Sequence, residues 1–190
     1  LSRPGFLKAL SVLEDGPLFK VVPMRKAKIG ILVTGTEVFQ GLIEDRFAPI
    51  ITQKAQQHHC EVVKTLFAPD DAALIVRGVR DLLDAGADFI VTTAGMSVDP
   101  DDLTRKGLTE AGLTDTLYGV PALPGRIGGA QIIGVPACAL FFKTTVFDII
   151  LPRMLAGVPI TRLDLAKIGN GGLCMECKVC TFPKCPFGKV

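Results

Sequence analysis

The sequence predicts an α/β domain of three layers, a mostly parallel sheet with helices on both faces. Three observations carry this. Short apolar runs alternate with segments whose apolar residues recur at helical spacing, the joints between them are short, and aspartates stand where helices would open. Strand, helix, strand, helix, strand in that order is the signature of βαβ units.

The first, Ile29 to Thr34, is a short apolar run that closes on Thr34 before Gly35, as suits a strand covered on both faces. Phe47, Ile50, Ile51 and Ala55 then mark one stripe of a helix running to about His59. Glu61 to Phe67 is the second strand. Asp70 is the predicted cap of the second helix, in which Ile75, Val79, Leu82 and Leu83 form the apolar stripe and Gly86 the stop. Phe89 to Thr93 is the third strand. The next helix has Asp99 as its cap, Pro100 at the first position and Asp102 at the third, and it ends at Gly112. Between Thr114 and Pro136, Thr116 to Val120 and Ala130 to Val135 read as short strands with room for antiparallel pairing. Ala139 to Leu151 reads as an apolar helix stopped or kinked by Pro152. A short helix follows from Thr161, with Thr161 and Asp164 as a capping box.

The chain has 190 residues, 48% hydrophobic and 21% charged, with a mean hydropathy of +0.41. That excludes global disorder and suits one domain of roughly 130 to 150 residues with extensions. Residues 1–27, with a helical stretch from Phe6 to Leu13, are expected to be a connector from a missing upstream region, since the chain opens on Leu1 and no signal peptide is recognisable. Residues 28–157 form the expected domain, 158–173 a short helix and glycine-rich linker, and 174–190 a cysteine-rich tail. The longest apolar run, Ile132 to Phe142, is shorter than the roughly 20 residues of a membrane span. A net charge of +2 with evenly spread Lys and Arg speaks against nucleic acid and for a small-molecule partner.

In a parallel sheet, ligands bind beyond the carboxyl ends of the strands. The first such exit is Thr34-Gly35-Thr36-Glu37, followed by Glu44-Asp45; the third is Thr92-Thr93-Ala94-Gly95-Met96-Ser97, followed by Asp99, Asp101 and Asp102. Small residues admit a ligand close to the backbone, and a following helix start offers free N–H groups to an anion. Carboxylates at such a site repel phosphate unless Mg²⁺ lies between them, which Glu37, Asp101 and Asp102 are placed to hold. A carboxylate can also accept paired N–H bonds from an amino-pyrimidine edge such as a pterin. Spacing leaves equally open that Asp99 and Asp102 only cap a helix.

The segment from Thr92 to Thr104 resembles the T-T-G-G-x-G/S-x-x-P-x-D-x-T loop of the molybdopterin-binding fold, shared by the molybdopterin-adenylylating and molybdate-inserting enzymes of molybdenum-cofactor biosynthesis. Thr34-Gly35-Thr36-Glu37, Leu42-Ile43-Glu44-Asp45, Asp70-Asp71, Pro124-Gly125 and Gly134-Val135-Pro136-Ala137-Cys138 are similar to the family's other motifs and lie in its order. The resemblance spans roughly Lys28 to Gly157. It implies molybdopterin as ligand or substrate, Mg²⁺ with ATP as co-reactant, Asp102 and Glu37 as the catalytic carboxylates, and Thr34, Gly35, Asp45, Thr93, Gly95, Ser97 and Pro136 as further ligand-lining residues. It also implies a trimer or dimer and a molybdoenzyme or another cofactor-biosynthesis protein as partner, while the clustered cysteines suit a cytoplasmic setting. The sequence departs from the family at Ala94, where it has glycine, at Phe47, where it usually has asparagine, and at Ala137-Cys138-Ala139. The competing reading is a non-catalytic pterin- or nucleotide-binding regulatory or docking module whose tail responds to redox state.

Cys174, Cys177, Cys180 and Cys185 follow the spacing C-x2-C-x2-C-x4-C-P, one residue longer before the last cysteine than the bacterial ferredoxin run. Such clustering fits metal chemistry in a reducing compartment. Zinc is one candidate, but structural zinc sites usually split their ligands into two separated pairs. Three cysteines at successive spacings of three suit a [4Fe–4S] cluster. Cys60 and Cys138 are expected to be packed thiols, with Cys138 the nearer to the ligand loops. His58 and His59 point about 100° apart on a helix and do not chelate together. No P-loop or G-x-G-x-x-G follows any strand, and the histidines precede Gly95-Met96-Ser97, unlike the order of a hydrolase nucleophile elbow.

Overall fold

The computed structural model describes residues 2–14, 16, 19–93, 103–117, 122–136, 142–169, 172, 174, 175 and 177–189. The elements in chain order are α1 (Arg3–Glu14), β1 (Lys28–Thr34), α2 (Thr36–Phe39), α3 (Phe47–Gln57), β2 (Glu61–Ala68), α4 (Ala72–Asp84), β3 (Phe89–Thr93), α5 (Leu103–Glu110), β4 (Leu123–Ile127), β5 (Ala130–Val135), α6 (Val146–Leu155) and α7 (Arg162–Gly169). Five strands form one sheet in the order β2-β1-β3-β5-β4. β1 runs parallel to β2 and β3, β3 runs parallel to β5, and only β4 pairs antiparallel.

Alternation along the strands builds the three layers. Ile29, Ile31, Val33, Phe89, Val91, Ile133 and Val135 pack with Phe47, Ile51, Phe147, Ile150, Leu151 and Leu165, which places α3, α6 and α7 on one face. Leu32, Ile90 and Ile132 pack with Ile75, Val79, Leu82 and Leu108, which places α4 and α5 on the other. Each fully buried side chain of this kind contributes about 1.5–3 kcal/mol. Close approach needs glycine in α4: a Cβ on Gly78 would sit 2.9 Å from a methyl of Leu32. The predicted α/β architecture is therefore the observed one.

Four local expectations are corrected. Asp71, not Asp70, caps α4, accepting the Leu74 N–H at 2.9 Å. Asp70 instead accepts both the amide and the hydroxyl of Thr36 at 3.0 Å, tying the exit of β2 to that of β1. The strand preceding β5 is Leu123–Ile127 and not Thr116 to Val120. Its Pro124 lies on an edge strand, where a missing N–H is tolerated, and Gly128 and Gly129, both at positive φ, make the two-residue hairpin turn. Of the segment expected as a strand, Thr116 and Leu117 lie outside any strand and 118–120 fall outside the described residues. The helix expected from Ala139 starts at Val146, because the Thr145 amide donates to Asp148 Oδ2 at 2.7 Å and sets the cap there. Pro152 lies inside that helix and does not end it. Residues 142–145 are not helical, and 137–141 lie outside the described residues.

The amino edge of the sheet is tied to the segment that precedes β1. Arg25 donates to Asp88 Oδ1 at 2.6 Å and to Gln131 Oε1 at 2.9 Å, and stands over the Phe89 ring. Among the described residues, no helix is long and apolar enough to cross a membrane.

Candidate functional site

The parallel register brings the predicted strand exits together at the carboxyl edge. Thr34 is opposite Ala68, Val33 opposite Thr93, and Thr93 opposite Val135. Gly35, Thr93 and Pro136 therefore stand on three adjacent strand exits. Gly35 has φ of 138°, a conformation that favours glycine, and its N–H donates to the Ala68 carbonyl at 3.0 Å. Thr34 is buried, its hydroxyl donating to the Thr93 carbonyl and lying 3.0 Å from the Thr104 hydroxyl of α5. Thr34 thus works as a strut between β1, β3 and α5.

Thr93 carries the least satisfied chemistry at this edge. It is fully buried, yet among the described residues its hydroxyl has no hydrogen-bond partner, a condition shared there only by Thr92. An unpaired buried hydroxyl costs about 1–3 kcal/mol. Thr92 belongs to the same strand but, by alternation, to the opposite face of the sheet. Sequence reasoning picked Thr93 for its place at a strand exit; the vacancy of its hydroxyl is visible only in the fold.

The first-loop carboxylates divide. Glu37 is exposed in the first turn of α2, so it has a helical setting that the sequence did not suggest. Asp45 accepts the Phe47 N–H at 2.8 Å and both its oxygens face the Ala48 N–H at 3.2–3.3 Å, holding the start of α3. It also borders a depression of about 590 Å³ beside β2, with Val38, Phe39, Ile43, Glu44 and Phe67. Gly95, Ser97, Asp99, Asp101 and Asp102 lie outside the described residues, as does Cys138. Cys60 is buried in the core as expected.

A second cavity lies at the tail. Cys174, Cys177, Cys180 and Cys185 all border one cavity of about 410 Å³, together with Phe142, Lys143, Thr144, Met175 and Phe187. Cys174, Cys177 and Cys180 are exposed and Cys185 is half-buried, all as free thiols. Among the described residues, no three His, Cys, Asp or Glu side chains are gathered tightly enough to hold a single metal ion as they stand. Cys180 Sγ lies 3.3 Å from the Thr144 hydroxyl, and that hydroxyl, with the Phe182 amide, holds its pKa below the usual thiol range.

Two residues that the sequence reading passed over brace this region. Lys54, buried on α3, forms an ion pair with Asp148 and donates to the Lys143 carbonyl at 3.0 Å. A lysine inside a helix stripe gives no sequence signal for such a bond. His58, at the end of α3, has its pKa lowered, first by burial, with His59 and Lys54 adding to the effect and Asp148 opposing it.

Residues 30–157, two thirds of the chain and the whole carboxyl edge, match a family described as probable molybdopterin binding domain. The chain belongs to that family. Its domain is also similar to solved structures: the tungsten cofactor synthesizing protein MoaB from Pyrococcus furiosus, at 19% identity over 72% of this chain and 99% of that one with a TM-score of 0.59, and the molybdopterin biosynthesis Mog protein from Mycobacterium ulcerans, at 18% identity over 70% and 99% with a TM-score of 0.56. At such identities the likeness shows the fold. Among curated relatives, a CinA-like protein of Mycobacterium sp. (strain JLS) is 38% identical over 78 residues, which are 41% of this chain and 18% of that protein. One from Mycobacterium marinum (strain ATCC BAA-535 / M) is 31% identical over 103 residues, 50% and 24% respectively. The matched stretch spans about a fifth of the length of these relatives.

Proposed function

We propose that the domain binds molybdopterin or a related pterin-phosphate at its carboxyl edge and serves in the biosynthesis, maturation or delivery of the molybdenum cofactor. The observation that carries this reading is the family match over residues 30–157, the segment that builds that edge. Gly35, Thr93 and Pro136 provide its floor, and Gly95 and Ser97 its close backbone and hydroxyl contacts. The vacant hydroxyl of Thr93 is the donor a ligand oxygen satisfies on binding. Thr34 supports the floor from below, and Asp45 fixes the start of α3 beside it.

Asp102 and Glu37 are the proposed reactive carboxylates, holding Mg²⁺ against the phosphate of the pterin or of ATP. Adenylylation and molybdate insertion are the two activities this arrangement suits. Residues 28–157 are the proposed ligand-binding unit, with 1–27 as connector and 158–173 as linker to the tail. Assembly as a trimer or dimer, with a molybdoenzyme or another cofactor-biosynthesis protein as partner, completes the proposal.

The test is binding of molybdopterin to the full chain, followed by intrinsic pterin fluorescence, which a protein with no Trp and a single Tyr does not obscure. Turnover of Mg-ATP in the same sample reads adenylylation. Glu37→Gln should retain the fold and weaken Mg²⁺-dependent binding; wild-type affinity in that variant removes Glu37 from the site, and no pterin binding by the wild type removes the reading altogether.

A further inference from the structure

The family match ends at residue 157, so the tail must be understood from its own residues. We propose that Cys174, Cys177, Cys180 and Cys185 hold one [4Fe–4S] cluster in the cavity they border against the amino end of α6.

The backbone first explains how four cysteines come to share one cavity. Gly172 and Phe187 form a parallel bridge, reinforced by Gly172 N–H to the Lys189 carbonyl at 3.1 Å and Gly188 N–H to the Gly172 carbonyl at 2.9 Å. These bonds close the chain into a loop that contains all four cysteines. Both hinge positions favour glycine: a Cβ on Gly172 would lie 2.5 Å from the Pro186 backbone oxygen, and Gly188 has φ of 66° and packs against the Ile149 side chain of α6. The loop is thus seated on α6.

The extra residue before Cys185 then finds its explanation. In two-cluster ferredoxins the last cysteine of the run serves the other cluster. Here the Lys184 N–H donates to the Thr181 carbonyl at 2.8 Å, and the turn brings Cys185 back to the cavity shared by the first three. One run therefore supplies a complete set of four thiolates.

The spacing of the run selects the occupant. Structural zinc sites usually split their ligands into two separated pairs. The four cysteines here border one cavity of about 410 Å³ and lie in a single run with three at successive spacings of three, close to the bacterial ferredoxin run that holds a [4Fe–4S] cluster. The surroundings match its charge and chemistry as well. Four thiolates with a [4Fe–4S] core are anionic, and Lys143 borders the cavity beside the amino end of α6, the positive end of a ten-residue helix. Phe142, Met175 and Phe187 provide apolar lining, and the Thr144 hydroxyl is within reach of the Cys180 sulfur.

The experiment is metal analysis of the full chain purified without oxygen, before and after anaerobic incubation with ferric iron, sulfide and a thiol reductant, which supplies the two electrons per cluster. About four iron and four acid-labile sulfide per chain, with broad absorption near 400 nm, is the expected result. One zinc or one iron per chain without sulfide overturns the cluster, and no metal in either sample overturns the site. Cys177→Ser and Cys185→Ser should each lose most of the iron per folded chain, as judged beside circular dichroism. Cys60→Ala, which does not border the cavity, should keep it. Full iron in both serine variants would refute the ligand assignment even if the wild type carries a cluster. Because the wild-type stoichiometry is decisive alone, poor folding of a variant does not rescue the proposal.

Discussion

Thr93→Val exchanges a hydroxyl for a methyl at nearly unchanged shape, at a buried position whose hydroxyl has no partner among the described residues. Removing an unsatisfied buried hydroxyl should stabilise the free protein by about 1–2 kcal/mol, the lower part of the desolvation penalty it carries. For a chain of this length that raises Tm by roughly 2–8 °C. The same change removes the proposed donor to the ligand. A hydrogen bond to a charged group contributes about 1.5–3 kcal/mol, so pterin affinity should fall by roughly ten- to a hundredfold. Stability and affinity therefore move in opposite directions. Thr92→Val is the internal control, since its hydroxyl is equally buried and vacant but belongs to the other face of the sheet. It should raise stability by a similar amount and leave affinity unchanged. Urea unfolding followed by circular dichroism reads the first quantity and pterin fluorescence the second. A loss of stability in Thr93→Val would mean that the hydroxyl is satisfied in the native protein, and unchanged affinity would remove it from the site.

Three other perturbations have defined outcomes. Asp102→Asn should weaken pterin or Mg²⁺ binding with little change in melting temperature, because asparagine caps helices as well as aspartate; lost stability with unaltered binding would make the residue a cap. Lys54→Ala leaves Asp148 largely buried without its cation and should cost about 3 kcal/mol, or roughly 6–12 °C in Tm, whereas a loss below about 1 kcal/mol would mean that the pair is not structural. His58 is held below its ordinary pKa by burial, so the folded chain binds this proton more weakly than the unfolded one. Its contribution to stability is full above the ordinary histidine range and is lost on acidification, and His58→Gln should flatten the stability profile between about pH 7 and 5 in thermal melts.

The layered core was legible because hydrophobic period is a direct consequence of which faces are covered. Ile29 to Thr34 and Phe89 to Thr93 are short, mainly apolar runs that end in threonine, and both prove to be central strands. The errors arose where neighbouring residues of one type compete for one task. Asp70 and Asp71 are both capable caps, and only the position of Thr36 across the sheet decides that Asp70 goes there. Pro124-Gly125 reads as a breaker until the strand is known to lie at an edge. The site was legible in part. Strand exits are set by topology, so Thr34, Gly35, Thr93 and Pro136 come together as the order of motifs implied. Whether a hydroxyl is vacant, as in Thr93, or committed, as in Thr34, depends on which partners the fold brings to each face of the sheet, which no local pattern encodes.

The loop before α6 links the two sites physically. Pro136, at the exit of β5, precedes Phe142 by six residues, at most about 20 Å of extended chain, and Phe142, Lys143 and Thr144 then border the cysteine cavity. Lys54 fixes this loop from the core by binding the Lys143 carbonyl and Asp148, while Asp148 accepts the Thr145 amide that starts α6. The wall of the cavity is thus held by a lysine that is itself no part of the cavity lining. If the tail depends on that wall, Lys54→Ala should speed the removal of iron by a chelator from anaerobically loaded protein, measured at a temperature well below the variant's own melting point. Loss of iron at the wild-type rate would mean that the closed loop from Gly172 to Gly188 holds its cluster unaided, with α6 serving only as a surface on which the loop rests.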